Sequence, residues 1–373
     1  MINNENEKIK NIINFYMLAN KLKYANTDKK QSVADQIYGS MILATAINSE
    51  YNIVNKNKLG IVLKTILFKT IVEKFSYVEI VQCLDDLDFK SFKELSDNFF
   101  NLSNKESIFS FHCVIMENEL ENFFQKFLNE ETIKNNSIEE LYTISKNYGI
   151  TNAFGNDENK NFEIFRFYYL NRILKQKVRS AWDKNHWNVS SNRIEKISEH
   201  CVGAIALAIA INYEFKFNVD LDKIITTLCI HELGEIKIGD ITPFDGITPE
   251  KKEEIEHKAI IEVVGNLSNK DNIINLIFEL DKKQTTEMKF AHYCDKLEAD
   301  LQAKVYQEMG CHHPLTEQKN NVVFKSDKIQ KMVQNGAVTA FDIWYEWDKD
   351  TYIDEPVFAK VLKYSKENNI KSN

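Results

Sequence analysis

A chain of 373 residues has room for two domains of ordinary size, and 43% hydrophobic residues is the share expected of a folded globular protein. A formal charge of −8 excludes a general nucleic-acid binder, which needs a basic face, but leaves room for a local basic pocket that takes a phosphate. Only four prolines, all beyond residue 240, and eleven glycines argue for an all-α protein over a sandwich or a barrel.

Apolar residues at helical spacing (Ile9, Ile12, Ile13, Tyr16, Ala19) begin a pair of helices within 8–49, the second over 33–47. A strongly apolar third helix is predicted over 59–75, and another over 109–127. The Asn-rich stretch around Asn135 and the segment 147–161, with Gly149 and Gly155, read as loop. A domain boundary placed there separates 1–150 from 160–373. The second half opens with a helix over 162–178, followed by an irregular loop holding Arg179, Trp182, Trp187 and Arg193. Helices are then expected over 197–215, 221–237, 249–267, 270–282 and 285–308, with two more in the tail over 328–347 and 357–368. No strand pattern appears.

Six cysteines without C-x-x-C spacing read as reduced, mostly buried thiols of a cytoplasmic protein. The N-terminal residues carry no apolar signal region, and the longest apolar run, 202–211, is too short to span a bilayer. A cytoplasmic location without membrane contact is expected.

The two halves share a weak internal repeat. Phe15-Tyr-Met-Leu-Ala-Asn-Lys-Leu-Lys23 has a counterpart in Phe167-Tyr-Tyr-Leu-Asn-Arg-Ile-Leu-Lys175. Ser32 to Gln36 matches Lys196 to His200, Phe68-Lys69 matches His231-Glu232, and Asn118 to Glu121 matches Asp295 to Glu298. Order is kept, which favours a tandem duplication. Gln36, Phe68, Lys69 and Asn118 then stand in the first half where His200, His231, Glu232 and Asp295 stand in the second. That first set is no competent metal-ligand set, and Lys69 would repel a cation.

Metal-ligating residue types occur at three separate places in the second half: His200 at the start of an apolar helix, His231-Glu232 at the end of another, and Asp295 within a third. Buried polar groups beside apolar faces are unfavourable unless paired or coordinated. Two imidazoles and two carboxylates converging in a helical core would suit a divalent transition ion, with Mn, Co, Fe, Ni and Zn all possible. Glu235, three residues past Glu232, would return to the same face if the helix continued. Gly239, Pro243 and Gly246 leave Asp240 and Asp245 in a turn.

With these residues the second half resembles the HD-domain metal-dependent phosphohydrolases, whose signature is His…His-Asp…Asp. More narrowly it is similar to their 5′-deoxynucleotidase branch. The matching segments are Leu174 to Trp182, Ile197 to His200, His231 to Pro243 and Lys289 to Ala303. The resemblance implies two tandem HD-type helical domains, the first without its site, pairing internally much as two subunits of a homodimer. It implies His200, His231, Glu232 and Asp295 as metal ligands and Glu235 as the residue that positions or deprotonates the attacking water. Asp240 would lie near the sugar, Trp182 against the substrate, and either Arg179 or Arg193 on the phosphate. The implied activity is hydrolysis of a nucleotide, foremost a deoxyribonucleoside 5′-monophosphate. A nucleotide phosphodiesterase of the same superfamily is the enzymatic alternative, and a non-catalytic nucleotide-binding or interaction module the other. Glu232 departs from the family's Asp, and its extra methylene displaces the carboxylate. Outside this set, His292 is expected to support Asp295 from the same face, and Cys311-His312-His313 to lie in a solvated loop.

Overall fold

The computed structural model describes residues 2–27, 31–83, 86–126, 128 and 130–371. Those residues form eighteen α-helices and no strand, so the chain is all-α. Helix α1 (Ile2–Tyr24) leads into α2 (Val33–Tyr51), whose start is fixed by a reciprocal cap. The Ser32 hydroxyl accepts from the Asp35 N–H and the Asp35 carboxylate from the Ser32 N–H, each at 2.9 Å. Next come α3 (Leu59–Lys74), α4 (Tyr77–Val81), α5 (Asp86–Asn101) and α6 (Lys105–Lys126). Phe127, the expected end of α6, lies outside the described residues. The stretch around Asn135 departs from expectation: it is helical on both sides, as α7 (Glu130–Asn135) and α8 (Ile138–Asn147), because Ser137 and Glu140 make a second reciprocal cap.

Asp157 starts α9 (Glu158–Asn171) by accepting from Asn159 and Lys160, earlier than the apolar pattern suggested, and the helix ends seven residues short of the expected 178. Helix α10 (Ile197–Phe215) keeps its expected bounds. The single helix expected over 221–237 is instead two pieces, α11 (Leu221–Ile230) and α12 (Glu235–Ile238), separated by a turn at His231–Gly234. Then follow α13 (Pro249–Val264), α14 (Lys270–Lys282) and α15 (Thr286–Glu308). The helix expected over 328–347 is likewise two, α16 (Asp327–Gln334) and α17 (Ala340–Asp348), broken where Gly336 takes φ 106° and Thr339 caps the second. Helix α18 (Pro356–Glu367) closes the order.

Helix α10 is the axis of this arrangement. Its run from Val202 to Ile211 is at most 1% exposed, and α1, α2, α11 and α15 all pack on it. One hydrophobic cluster runs from Ile9 to Ile370 across both halves; a smaller one gathers Trp187, Val323, Phe324 and Ile343. Packing between the halves is crossed: α1 lies along α10, α9 along α2, and α3 against α11. Buried polar contacts follow the same crossing. Tyr16 donates to Glu298 Oε1 at 3.0 Å and Tyr168 to Glu121 Oε1 at 2.8 Å. Lys23 pairs with Glu298, and Lys175 with Glu121 at 2.9 Å.

All six cysteines are free and buried. Among the described residues no helix is long and apolar enough to cross a membrane. The expected solvated loop at residues 311–313 is instead partly tucked in. His312 Nε2 lies 3.3 Å from the Ala303 carbonyl and its ring meets Tyr306 edge-on. Burial pushes its imidazole down to about 4. The unfolded chain therefore binds more protons than the folded one between that value and the ordinary histidine value of roughly 6.5. Stability should fall as pH is lowered through this window, by roughly 2–3 kcal/mol from this one group. In urea unfolding at pH 7 and pH 4.5, His312→Gln is expected to shrink that difference; an unchanged difference would rule the histidine out as its source.

Candidate metal centre

The turn that ends α11 places His231 and Glu232 at the mouth of a buried space walled by α10 and α15. His200 enters from the first turn of α10 and Asp295 from the middle of α15. One ligand atom from each of His200, His231, Glu232 and Asp295 falls within 4.8 Å of all the others. Among the described residues this is the one group of three or more such side chains so disposed.

The hydrogen bonds on the far side of each ring aim the near side inward. His231 Nδ1 is 2.9 Å from the Leu228 carbonyl, an acceptor, so that nitrogen carries the proton and Nε2 presents a lone pair. Nε2 is buried without a hydrogen-bond partner, and its nearest carboxylate oxygens are Glu232 Oε1 at 3.5 Å and Asp295 Oδ1 at 3.6 Å. His200 Nδ1 lies 2.5 Å from Glu298 Oε2, which again leaves Nε2 facing the cluster, 3.0 Å from Asp295 Oδ1 and 3.6 Å from Glu232 Oε1. Lone pairs converging on lone pairs need positive charge between them. The titration of the group reflects that need. Burial alone would lower His231, but the charge of Glu232 beside it pushes it well above the usual histidine range. Burial would raise Glu232, yet His231 and Arg179 bring it down to about 2. An orphaned imidazole nitrogen and a nitrogen/oxygen donor set fit a divalent transition ion.

A cavity of about 520 Å³ opens beside the cluster. At its polar end stand Arg179, Glu235 and Asp240. Arg179 reaches Glu232 Oε1 at 2.6 Å and Asp240 Oδ2 at 3.8 Å. Asp240 also accepts the Ser180 N–H at 2.7 Å, which ties the arginine's loop to the turn after Gly239. Glu235 heads α12 rather than continuing α11; the sharp turn, not a helical repeat, brings it to the cavity. Its Oε2 is buried without a partner, and burial beside Glu232 and Asp240 pushes its carboxyl well above the ordinary range. Lys177 donates to the Glu235 carbonyl at 2.8 Å and so pins that backbone.

Two expected substrate contacts lie elsewhere. Trp182 is 1% exposed and does not line the cavity; it packs on Tyr306 and Trp344 and donates from Nε1 to Glu195 Oε2 at 2.9 Å. Its indole N–H takes the buried carboxylate below the loop and so turns the ring inward. Arg193 also stands outside, bonded to Glu199 and to Asn26 Oδ1, because the buried Glu199 draws it to the start of α10. Arg179 is therefore the arginine that faces the cluster. The aromatic wall of the cavity comes from Trp187, Phe244, Trp344 and Trp347. Phe244 and Trp347 rings lie 5.6 Å apart, and Trp187 and Trp344 rings 5.9 Å apart. The available signal was Trp344 and Trp347 three residues apart in an expected helix, hence on one face. His186 joins two of the loops: Nδ1 is 2.9 Å from Asp183 and Nε2 is 3.0 Å from the Thr242 hydroxyl.

Adding Mn²⁺ or Co²⁺ to chelator-treated protein should raise its thermal unfolding midpoint. Saturation at a hundred times the dissociation constant contributes about 2.7 kcal/mol, and His231→Ala should cancel the gain. A midpoint indifferent to both ions would count against a metal at this cluster.

Residues 172–336 match the family described as HD domain. The chain is 39% identical over 92 residues to the 5′-deoxynucleotidase HDDC2 of Dictyostelium discoideum, covering 24% of this chain and 48% of that protein. To the 5′-deoxynucleotidase HDDC2 of Homo sapiens it is 27% identical over 153 residues, 40% of this chain and 71% of the relative. To the 5′-deoxynucleotidase hdd1 of Schizosaccharomyces pombe it is 27% identical over 96 residues, 24% and 48% respectively. The chain thus spans about half the length of two of these relatives.

Proposed function

We propose, from the match of residues 172–336 to the HD domain family, that the chain is a metal-dependent phosphohydrolase acting on a nucleotide, foremost a deoxyribonucleoside 5′-monophosphate. The observation that carries this reading is the cluster of His200, His231, Glu232 and Asp295 opening into a cavity that also holds Arg179 and Glu235. The four cluster residues would hold a divalent ion, with Mn, Co, Fe, Ni and Zn all compatible with the donors. When bound, such an ion supplies Lewis-acid polarisation of a phosphate oxygen and a lowered pKa for water.

The chain's own residues do the rest. Arg179 offers a planar fork to the phosphate, exchanging its contacts with Glu232 and Asp240 for phosphate oxygens. Glu235, raised by its burial and its acidic neighbours, is a stronger base than an exposed carboxylate and accepts the proton of the water that attacks phosphorus. The bond from phosphorus to the 5′ oxygen breaks, that oxygen takes up the proton held by Glu235, and a nucleoside and inorganic phosphate leave. Trp344, Trp347 and Phe244 offer flat apolar surface to the base. Asp240, beside Arg179 at the polar end of the cavity, would face the sugar and disfavour a 2′-hydroxyl-bearing ribose.

The N-terminal half is, in this proposal, a tandem copy that has lost its metal set. The crossed packing of α1 on α10 and α9 on α2 supports it, as do the parallel contacts of Tyr16 and Lys23 with Glu298 and of Tyr168 and Lys175 with Glu121. At the corresponding place Gln36 bonds Asn118, and Phe68 is packed against Phe15 and Phe92.

One observation favours a second reading, a nucleotide-binding module without turnover. Glu232 Oε1, 3.6 Å from His200 Nε2 and 3.5 Å from His231 Nε2, is also held by Arg179. Phosphate release from a panel of ribo- and deoxyribonucleoside monophosphates with Mn²⁺ or Co²⁺ separates the two. Release from deoxynucleotides is expected; bound nucleotide with no release would favour the module. Glu235→Ala should lower turnover by about 10²-fold or more while leaving metal content intact. Glu232→Asp should hold or raise activity if the longer side chain handicaps the site. Trp344→Ala should raise KM for a nucleotide with little change for a phosphate ester that has no base.

A further inference from the structure

The strongest polar link between the two halves ends on a residue of the candidate metal cluster. His200 Nδ1 is 2.5 Å from Glu298 Oε2, and both side chains are fully buried. The other oxygen of Glu298 is met from the N-terminal half: Tyr16 donates to Oε1 at 3.0 Å, and the Lys23 ammonium pairs with the same atom. Lys23 is itself 1% exposed and also lies 2.5 Å from Glu195 Oε1 and 3.1 Å from Gln302 Oε1. Gln302 is in turn held by Asn20 at 2.7 Å. Helix α1 thus delivers three polar side chains into the floor beneath His200. Room for the carboxylate is made by Gly203, one turn after His200: a Cβ there would stand 2.5 Å from Glu298 Oε1. Glycine inside a helix is unfavourable by roughly 1 kcal/mol, so its presence here reflects that close approach.

We propose that Lys23 is a positioning residue for the metal cluster: by holding the Glu298 carboxylate in place, it fixes the ring orientation of His200. The inference rests on reading the cluster as a metal site. The physical argument is general. A metal-ligating histidine is oriented by whatever its other nitrogen donates to, and loss of that partner weakens metal binding by about 10- to 100-fold. Tyr16 and Lys23 are the groups that meet the other oxygen of that carboxylate, so its orientation depends on the ammonium behind it. The N-terminal half then has a task besides packing, since it supplies that ammonium across the chain.

The molecule contains its own control. Lys175 occupies the corresponding place in the second half, equally buried, 2.8 Å from Glu117 and 2.9 Å from Glu121. There Glu121 is met by Tyr168, Arg172 and Gln31, and no histidine follows. Removing either lysine exposes the fold to the same loss of a buried ion pair, but only Lys23 leads to the cluster.

The experiment uses the full chain with Mn²⁺ titrated calorimetrically and Co²⁺ followed by its visible absorption bands. Lys23→Met should weaken Mn²⁺ binding by about 10-fold or more and shift the Co²⁺ bands, whereas Lys175→Met should leave both unchanged. Tyr16→Phe removes a single hydroxyl and keeps the ring; it should weaken binding in the same direction by a smaller factor, and it serves if Lys23→Met does not fold. Wild-type affinity and spectrum in both α1 variants would overturn the inference. So would an equal loss in Lys175→Met, which would mean that the effect reports general destabilisation. A wild-type chain that takes up neither ion overturns the metal reading itself and this inference with it, a result distinct from the other two.

Discussion

Burying a carboxylate in a helical core is tolerable only when a cation or several donors meet it, and that constraint organises this chain. Glu298, Glu195, Glu121 and Glu117 are all essentially inaccessible, and each is answered by a lysine or arginine from the opposite half. The halves are consequently joined by ion pairs as well as by apolar contact, and the pairs set which helix lies on which. Specificity is the plausible return for such groups, because apolar faces alone would let α1 and α9 slide or exchange. Around the candidate metal cluster the same constraint works toward chemistry. There acidic groups outnumber the cations nearby, and the imidazoles and Arg179 take up the imbalance.

How the polar groups divide between framework and chemistry is visible in the two tryptophan-bearing regions. Trp182 and Trp187 come from one irregular loop, yet Trp182 serves the framework by donating to Glu195 while Trp187 faces the cavity. The cavity wall is completed by α17, which lies beyond the residues that match the HD family. The candidate catalytic end and the candidate base-binding end are therefore built from different parts of the chain.

Much of the helical fold was legible because its causes are local. Stretches with apolar residues at helical spacing, such as 197–215 and 270–282, coincide with their helices. Departures came where a short-range polar group decided the outcome: Ser137 and Glu140 made a helix of an Asn-rich stretch, and Thr339 with Gly336 divided one tail helix into two. Of the site, the residues that meet in the cluster, His200, His231, Glu232 and Asp295, were readable from motif and order. Their meeting depends on a turn at His231–Gly234 that the apolar pattern did not announce. Trp182 and Arg193 were misjudged because a tryptophan or arginine in a loop looks the same whether it faces substrate or a buried carboxylate. Lys23 stood out only as the end of a repeated segment, with nothing to mark its role, since its partners stand 172 and 275 residues away.

That separation bears on how the chain is made. During synthesis α1 emerges long before α15 exists, so Tyr16, Asn20 and Lys23 wait beside an apolar helix face with nothing to cover it. The nascent N-terminal half presents a sticky, unfinished surface for most of translation, a state that favours holding by chaperones and swapping between neighbouring chains. Closure of long loops also slows the final assembly. A polypeptide interrupted before Glu195 would leave the ribosome with its framework ammonium unmatched, and one interrupted before Glu298 with only one of its two carboxylates.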